Sequence, residues 1–225
     1  MTKLHVRAFG GLFFFLIALS ALVFLPAWSL DYWQAWVFLF VMAVLTLAVT
    51  LYLMIHDPKL LERRVNAGPL AEKEKNQKVI QSFSTVAFLA IIIAPVLDHR
   101  FGWSHVSPSI VALGEVLIFL GFLIIFFVFR ENTFTSGTIE VHEAQEVIAT
   151  GPYAWVRHPM YVGGLIFLGG VPLALGSYWG LIMFVPIAGV IMWRLIDEET
   201  FLEKNLPGYV EYKNKVRYRL IPFVW

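Results

Sequence analysis

Apolar residues run almost unbroken along four stretches, 10–28, 33–55, 79–97 and 106–129, with short polar or charged segments between them. A bilayer core is crossed by about 20 apolar residues of helix, so each stretch predicts a transmembrane helix. A fifth apolar region, 160–193, is too long for one ordinary span, and the GSYWG near its middle supplies turn chemistry at Gly176 and Ser177. It predicts a helical hairpin with arms 160–175 and 178–196. At about 1.5 Å per residue the first arm reaches only about 24 Å, short for a full crossing, and Pro172 offers a place to bend. The expected fold is therefore an all-α integral membrane protein with four transmembrane helices and a C-terminal helical hairpin. It divides into a four-span region, 1–129, and a segment, 130–225, in which polar residues flank the hairpin.

Composition strengthens this reading. The 225 residues are 59% hydrophobic and 15% charged, far from the usage of soluble domains. Lys3 and Arg7 precede the first apolar run as in a secretory signal. The run is nevertheless long and ends in the bulky Pro26 and Trp28, so it is read as a retained anchor. Basic residues mark one side of the membrane. Lys3 and Arg7, then Lys59, Arg63, Arg64, Lys73, Lys75 and Lys78, then Arg130 and Arg157, and finally Arg194, Lys204, Lys213, Lys215, Arg217 and Arg219 all fall in segments that topology puts together, against Arg100 opposite. The positive-inside rule makes those segments and both termini cytoplasmic. Trp28, Tyr32, Trp33, Trp36 and Trp103 are expected to form an interfacial aromatic belt. The mixed-sign stretch 56–78 reads as a solvated connection without chemistry. The absence of cysteine excludes a disulfide framework, a thiolate metal site and a cysteine nucleophile, and no metal site is expected. A net charge of +1 gives a nucleic-acid partner no electrostatic support.

Both ends of a hairpin emerge on one membrane face, which brings two polar clusters together. The first is GPYAWVRHPMYVGG, 151–164, with Arg157 and His158; the second, from 194, is RLIDEETFLEKNLPGYVEYKNKVRYRLIPFVW, with Arg194, Asp197, Glu198, Glu199, Tyr209, Tyr212, Arg217, Tyr218 and Arg219. Donors on one wall and carboxylates on the other suit a zwitterionic ligand. Pro159 fits the first turn of a helix because it has no amide hydrogen to leave unsatisfied, and the positive end of that helix suits an anion. Gly163, Gly164, Gly169 and Gly170 keep the helix thin, for packing or for ligand approach. Arg194 and Glu198 are four apart on one helix face, where an intrahelical ion pair is the plain explanation, while Glu199 points elsewhere.

These residues resemble a known pattern. RHPMYVGG, a hairpin, the acidic pair of DEETFLEKN and the terminal YRLIP together resemble the isoprenylcysteine carboxyl methyltransferase family and its phospholipid N-methyltransferase relatives, over roughly 130–225. The resemblance implies S-adenosylmethionine as cofactor and a lipophilic acceptor, such as an isoprenylcysteine-like carboxylate, entering from the bilayer. Its implied cofactor site comprises Arg157, His158, Tyr161, Gly163, Glu198 and Glu199. Glu198, Arg217 and Arg219 are the candidates for catalysis, the two arginines for holding the acceptor or the cofactor carboxylate. The tail YRLIPFVW and the short glutamate run depart from the eukaryotic carboxyl methyltransferases, which affects the acceptor more than the methyl donor. Tyr153, Trp155 and Tyr161 are candidates for cation-π contact with a sulfonium. An alternative is the NADPH-dependent sterol and steroid reductase group, whose motif also contains Arg-His-Pro and a tyrosine; Met160 and Gly164 depart from it. A non-catalytic protein of the same fold is the third reading.

Overall fold

Lipid offers no partner for backbone amides and carbonyls, so long apolar runs close their hydrogen bonds internally as helices. The computed structural model describes residues 3–66, 75–135 and 145–225. It contains α1 (Lys3–Ala27), α2 (Trp33–His56), α3 (Pro58–Asn66), α4 (Lys75–Phe101), α5 (Pro108–Glu131), α6 (Pro159–Ala174), α7 (Phe184–Asn205) and α8 (Tyr209–Lys215). No strand occurs among the described residues. Five helices, α1, α2, α4, α5 and α7 with the 3-10 turn Trp179–Met183 ahead of it, are long and apolar enough to cross a membrane. The protein is thus an all-α, multi-pass integral membrane protein. The hairpin arm α6 has 16 residues and contains Pro172, and Gly176, at φ +73°, turns the chain toward α7.

The hairpin docks through backbone contact. Gly114 and Gly121 of α5 face Gly170 and Gly163 of α6, and each pair lies seven residues apart, two turns along one helix face. A Cβ added to Gly121 would lie 2.6 Å from the Gly163 carbonyl oxygen, and one on Gly170 would lie 2.6 Å from the Gly114 oxygen. This places α5 and α6 antiparallel, with Gly163 committed to helix packing. Gly164, by contrast, has open space around its missing Cβ. Gly164→Ala is therefore expected to leave the denaturation midpoint in detergent unchanged or raised, since alanine favours helix by up to about 1 kcal/mol over glycine. A fall of several degrees would show that this face is packed.

At the turn end, Asp98 is buried and accepts from the Ser104 amide and hydroxyl, both at 2.6 Å, and from the Ser177 hydroxyl. Ser177 Oγ in turn accepts from the Gly180 amide at 2.9 Å. The network ties the end of α4 to the hairpin turn. Tyr32 corrects the expected aromatic belt. Trp28, Trp33, Trp36 and Trp103 are exposed, but Tyr32 is buried, stacks on His99 with ring centroids 3.7 Å apart, and donates to the Leu175 carbonyl at 2.6 Å.

A second correction concerns 56–78. Residues 58–66 form α3, whose Leu60 and Leu61 are buried against Ala8, Leu53 and Phe129, because paired leucines recover more by burial than by solvation. Asp57 caps this helix, its Oδ1 accepting from the Leu60 amide at 3.0 Å. Residues 75–78 of that stretch begin α4, and 67–74, including Lys73, lie outside the described residues.

Candidate active site

At the end of the bundle opposite the hairpin turn, one carboxylate organises two distant pieces of chain. Glu199, on α7 and 3% exposed, accepts from Arg157 Nε at 2.6 Å and Arg219 Nε at 2.7 Å, and its Oε1 lies 3.2 Å from His158 Nε2. Arg157 is equally enclosed, at 6% exposed, and its Nη1 also donates to the carbonyls of Val216 and Arg217 at 2.9 and 2.8 Å. Backbone bonds complete the junction: the Arg157 amide donates to Tyr218 O at 2.9 Å and the His158 amide to Arg219 O at 3.0 Å. A planar guanidinium with a fork of donors can serve a carboxylate and two carbonyls at once, which explains an arginine at this depth. The Arg157 and His158 amides just ahead of α6 are thus occupied by carbonyls of the tail.

Beside this junction lies a cavity of about 400 Å³. Arg157, His158 and Tyr161 line one wall, Glu198 and Arg194 a second, and Tyr153, Tyr209 and Tyr212 a third. Gln81 and Ser84 of α4 and Arg64 of α3 reach it from the remaining side. Adjacent acids on α7 point in different directions because successive residues on a helix are separated by about 100°. Glu198 faces the cavity and accepts from the Tyr161 hydroxyl at 2.5 Å, while Glu199 turns to the tail. Arg194 Nη1 reaches across to Gln81 Oε1 at 3.0 Å, and Gln77 donates to Asp197 one turn further on, so polar rungs join α4 to α7 below the cavity.

The tyrosine wall comes from α8 and the 3-10 turn Gly151–Ala154. Tyr212 donates to the Tyr153 carbonyl at 2.8 Å, and Asn132 Nδ2 donates to the Tyr153 hydroxyl at 3.1 Å. Burial first, and then the charges of Glu199 and Glu198, push the Tyr209 phenol well above its ordinary value, so it stays a neutral donor across physiological pH. Its hydroxyl is buried and has no hydrogen-bond partner among the described residues. An unsatisfied buried hydroxyl bordering a cavity is where a polar ligand atom fits, since leaving it unpaired costs about 1–3 kcal/mol.

Of the residues singled out from sequence, Arg157, His158, Tyr161 and Glu198 border the cavity. Glu199 and Arg219 sit behind its wall and hold the tail to α6, with Arg219 also 5.0 Å over the Trp225 ring. Arg217 lines a separate cleft, as does Trp155, which is 71% exposed rather than turned toward the cavity. Gly163 packs on α5. Tyr153, a cation-π candidate, also borders the cavity; Tyr209 and Tyr212 were expected only as members of the second polar cluster, and Arg64 and Gln81 had no site role in the sequence. The NLPGYVEY stretch carried a usable signal for two of them, since tyrosines 209 and 212 are three apart and share a helix face.

The geometry defines a membrane-embedded bundle with a polar cavity at one end, and the comparisons name its relatives. Residues 109–207 match the family described as phospholipid methyltransferase. The protein-S-isoprenylcysteine O-methyltransferase of Saccharomyces cerevisiae is 32% identical over 84 residues, covering 35% of this chain and 33% of the relative. That of Schizosaccharomyces pombe is 32% identical over 76 residues, covering 31% and 30%. A Delta(14)-sterol reductase of Mus musculus is 29% identical over 151 residues, 57% of this chain and 35% of that protein. The chain thus spans about a third of the length of the curated relatives it matches. The chain is similar to the isoprenylcysteine methyltransferases and the phospholipid methyltransferases, and the stretch matched by the phospholipid methyltransferase family begins in α5.

Proposed function

We propose that the protein is an S-adenosylmethionine-dependent methyltransferase acting on a lipophilic acceptor, with its cavity and both termini on the cytoplasmic side and α6 and α7 as the membrane hairpin. The observation that carries this reading is the Tyr209 hydroxyl, without a partner among the described residues, in a cavity that also presents Glu198, Tyr161 and His158. Arginine and histidine donors, a carboxylate and aromatic faces match the carboxylate, ammonium, ribose and sulfonium of the cofactor, so the residues present fit it. When bound, S-adenosylmethionine supplies a methyl group activated for displacement.

The chain's own residues supply position. Glu198 and the Tyr209 hydroxyl hold polar groups of the ligand, and the rings of Tyr153 and Tyr161 offer a cation-attracting surface worth about 0.5–2 kcal/mol. The Glu199 junction keeps His158 and α6 in register with the tail, so the wall does not rearrange on binding. Alignment in a site that excludes water is sufficient for most of the rate of an in-line displacement. A carboxylate acceptor, as the names of the yeast relatives suggest, arrives without a proton to lose. An amine acceptor is deprotonated by Glu198, the carboxylate that faces the cavity.

Calorimetry on the purified protein in detergent tests this. S-adenosylhomocysteine is expected to bind and NADPH not to bind; the reverse result would establish the reductase reading that the mouse relative suggests. Tyr209→Phe is expected to weaken S-adenosylhomocysteine about 3- to 10-fold and Glu198→Gln about 10-fold or more, in proportion to a neutral and a charged hydrogen bond. Wild-type affinity in both variants would remove these residues from the site. Orientation is read separately from Lys213→Cys, a single thiol in a cysteine-free chain: a membrane-impermeant maleimide is expected to label it in inverted vesicles and not in intact cells.

A further inference from the structure

A second cleft, of about 210 Å³, opens between the end of the 3-10 turn Gly151–Ala154 and the C-terminal tail, and shares no lining residue with the cavity. Lys215 and Arg217 supply its charge, Trp155, Tyr218 and Phe223 its apolar walls, and no acid among the described residues lines it. Both cations are exposed and neither has a carboxylate partner among the described residues. Around the cleft the apolar side chains face outward, with Trp155 71%, Ile221 56%, Phe223 86% and Val224 75% exposed. A solvated tail would not present four such residues on one edge.

The depth of this edge follows from the backbone. The bonds from the Arg157 and His158 amides to Tyr218 and Arg219 hold the tail level with the start of α6, where the apolar arm of the hairpin begins at Pro159. A tail fixed at that level lies where headgroups meet acyl chains, the depth favoured by aromatic rings flanked by basic residues. We propose that this cleft binds an anionic phospholipid of the same leaflet, its phosphate between Lys215 and Arg217 and its glycerol and upper acyl chains against Trp155 and Phe223. A free phosphate would satisfy the cations but leave the aromatic edge in water; a lipid covers both. Because Val216 and Arg217 also offer their carbonyls to Arg157, lipid held here orders the strand of tail that forms the back of the cavity wall.

The chain contains no cysteine, so Phe223→Cys carries a single spin label, and Val224→Cys gives a second, independent reporter. In nanodiscs of phosphatidylcholine with increasing phosphatidylglycerol, the label is expected to lose mobility, become less accessible to a water-soluble relaxation agent and become more accessible to oxygen. Replacing Lys215 or Arg217 by glutamine is expected to raise the phosphatidylglycerol fraction giving half of this response roughly five-fold for each residue, the attraction of one basic side chain to an anionic surface. Soluble glycerophosphoglycerol is expected to leave the label unchanged. The proposal is overturned if both labels remain water-exposed in every lipid mixture, if the Lys215→Gln/Arg217→Gln variant responds as the parent does, or if the soluble headgroup alone orders the tail.

Discussion

Glu199→Ala is expected to produce the largest loss of any single substitution at this site. The side chain accepts from two guanidinium groups and contacts a histidine while 3% exposed. Its removal leaves Arg157 buried without its carboxylate, a change that costs about 3–5 kcal/mol in comparable settings. The penalty comes from the stranded charge more than from the lost contact. The variant should therefore show a lower denaturation midpoint in detergent together with loss of S-adenosylhomocysteine binding. Glu199→Gln, which keeps the volume and one acceptor, should fall between. Arg157→Lys should also fail, because an ammonium cannot serve Glu199 and the two carbonyls of Val216 and Arg217 in the planar geometry observed. A Glu199→Ala protein that melts with the parent would show that the junction contributes nothing to the fold. The pattern also separates the two neighbouring acids: Glu198→Gln should lower affinity with little change in midpoint, whereas Glu199 substitutions should move both.

Gly121→Val should be the other severe change. At this position an added Cβ would stand 2.6 Å from both the Gly163 oxygen and the Phe167 amide nitrogen, closer than real contacts allow, and the obstruction is backbone that cannot rotate away. α5 and α6 would have to separate, and overpacking of this kind costs typically about 1–3 kcal/mol, occasionally more. In lipid the consequence is amplified, since close backbone approach through small residues is what holds such helices together. The expected result is poor recovery of folded protein and loss of ligand binding in what is recovered, because α6 carries His158 at its start and Tyr161 in its first turn. Gly163→Ala should act in the same direction with smaller effect. Parent-like melting of Gly121→Val would mean that the helices are not packed glycine to glycine.

The pairing of these glycines shows what was and was not legible along the chain. That Gly163 and Gly170 keep one helix thin is visible from their spacing. Which helix they face is not, because Gly114 and Gly121 lie some fifty residues earlier and only the antiparallel docking of α5 and α6 matches the two sets. The acidic pair behaves similarly. Helix geometry sends Glu198 and Glu199 in different directions, yet only the fold shows that one meets Tyr161 and the cavity and the other meets Arg157, His158 and Arg219.

Hydropathy and the turn residues Gly176 and Ser177 were enough for the membrane class, the helical content and the meeting of 151–164 with 194–225, because the bilayer allows a long apolar run few ways to satisfy its backbone. Those are constraints of length and composition, carried by each segment independently. The burial of Tyr32, the packing of Leu60 and Leu61 in α3, the enclosure of the Arg157–Glu199 junction and the burial of the Tyr209 hydroxyl at the cavity are decided by residues distant in the chain. A polar side chain in such a protein becomes a packing element, an anchor or a ligand contact according to what the other helices bring against it, and that exists only once they are assembled.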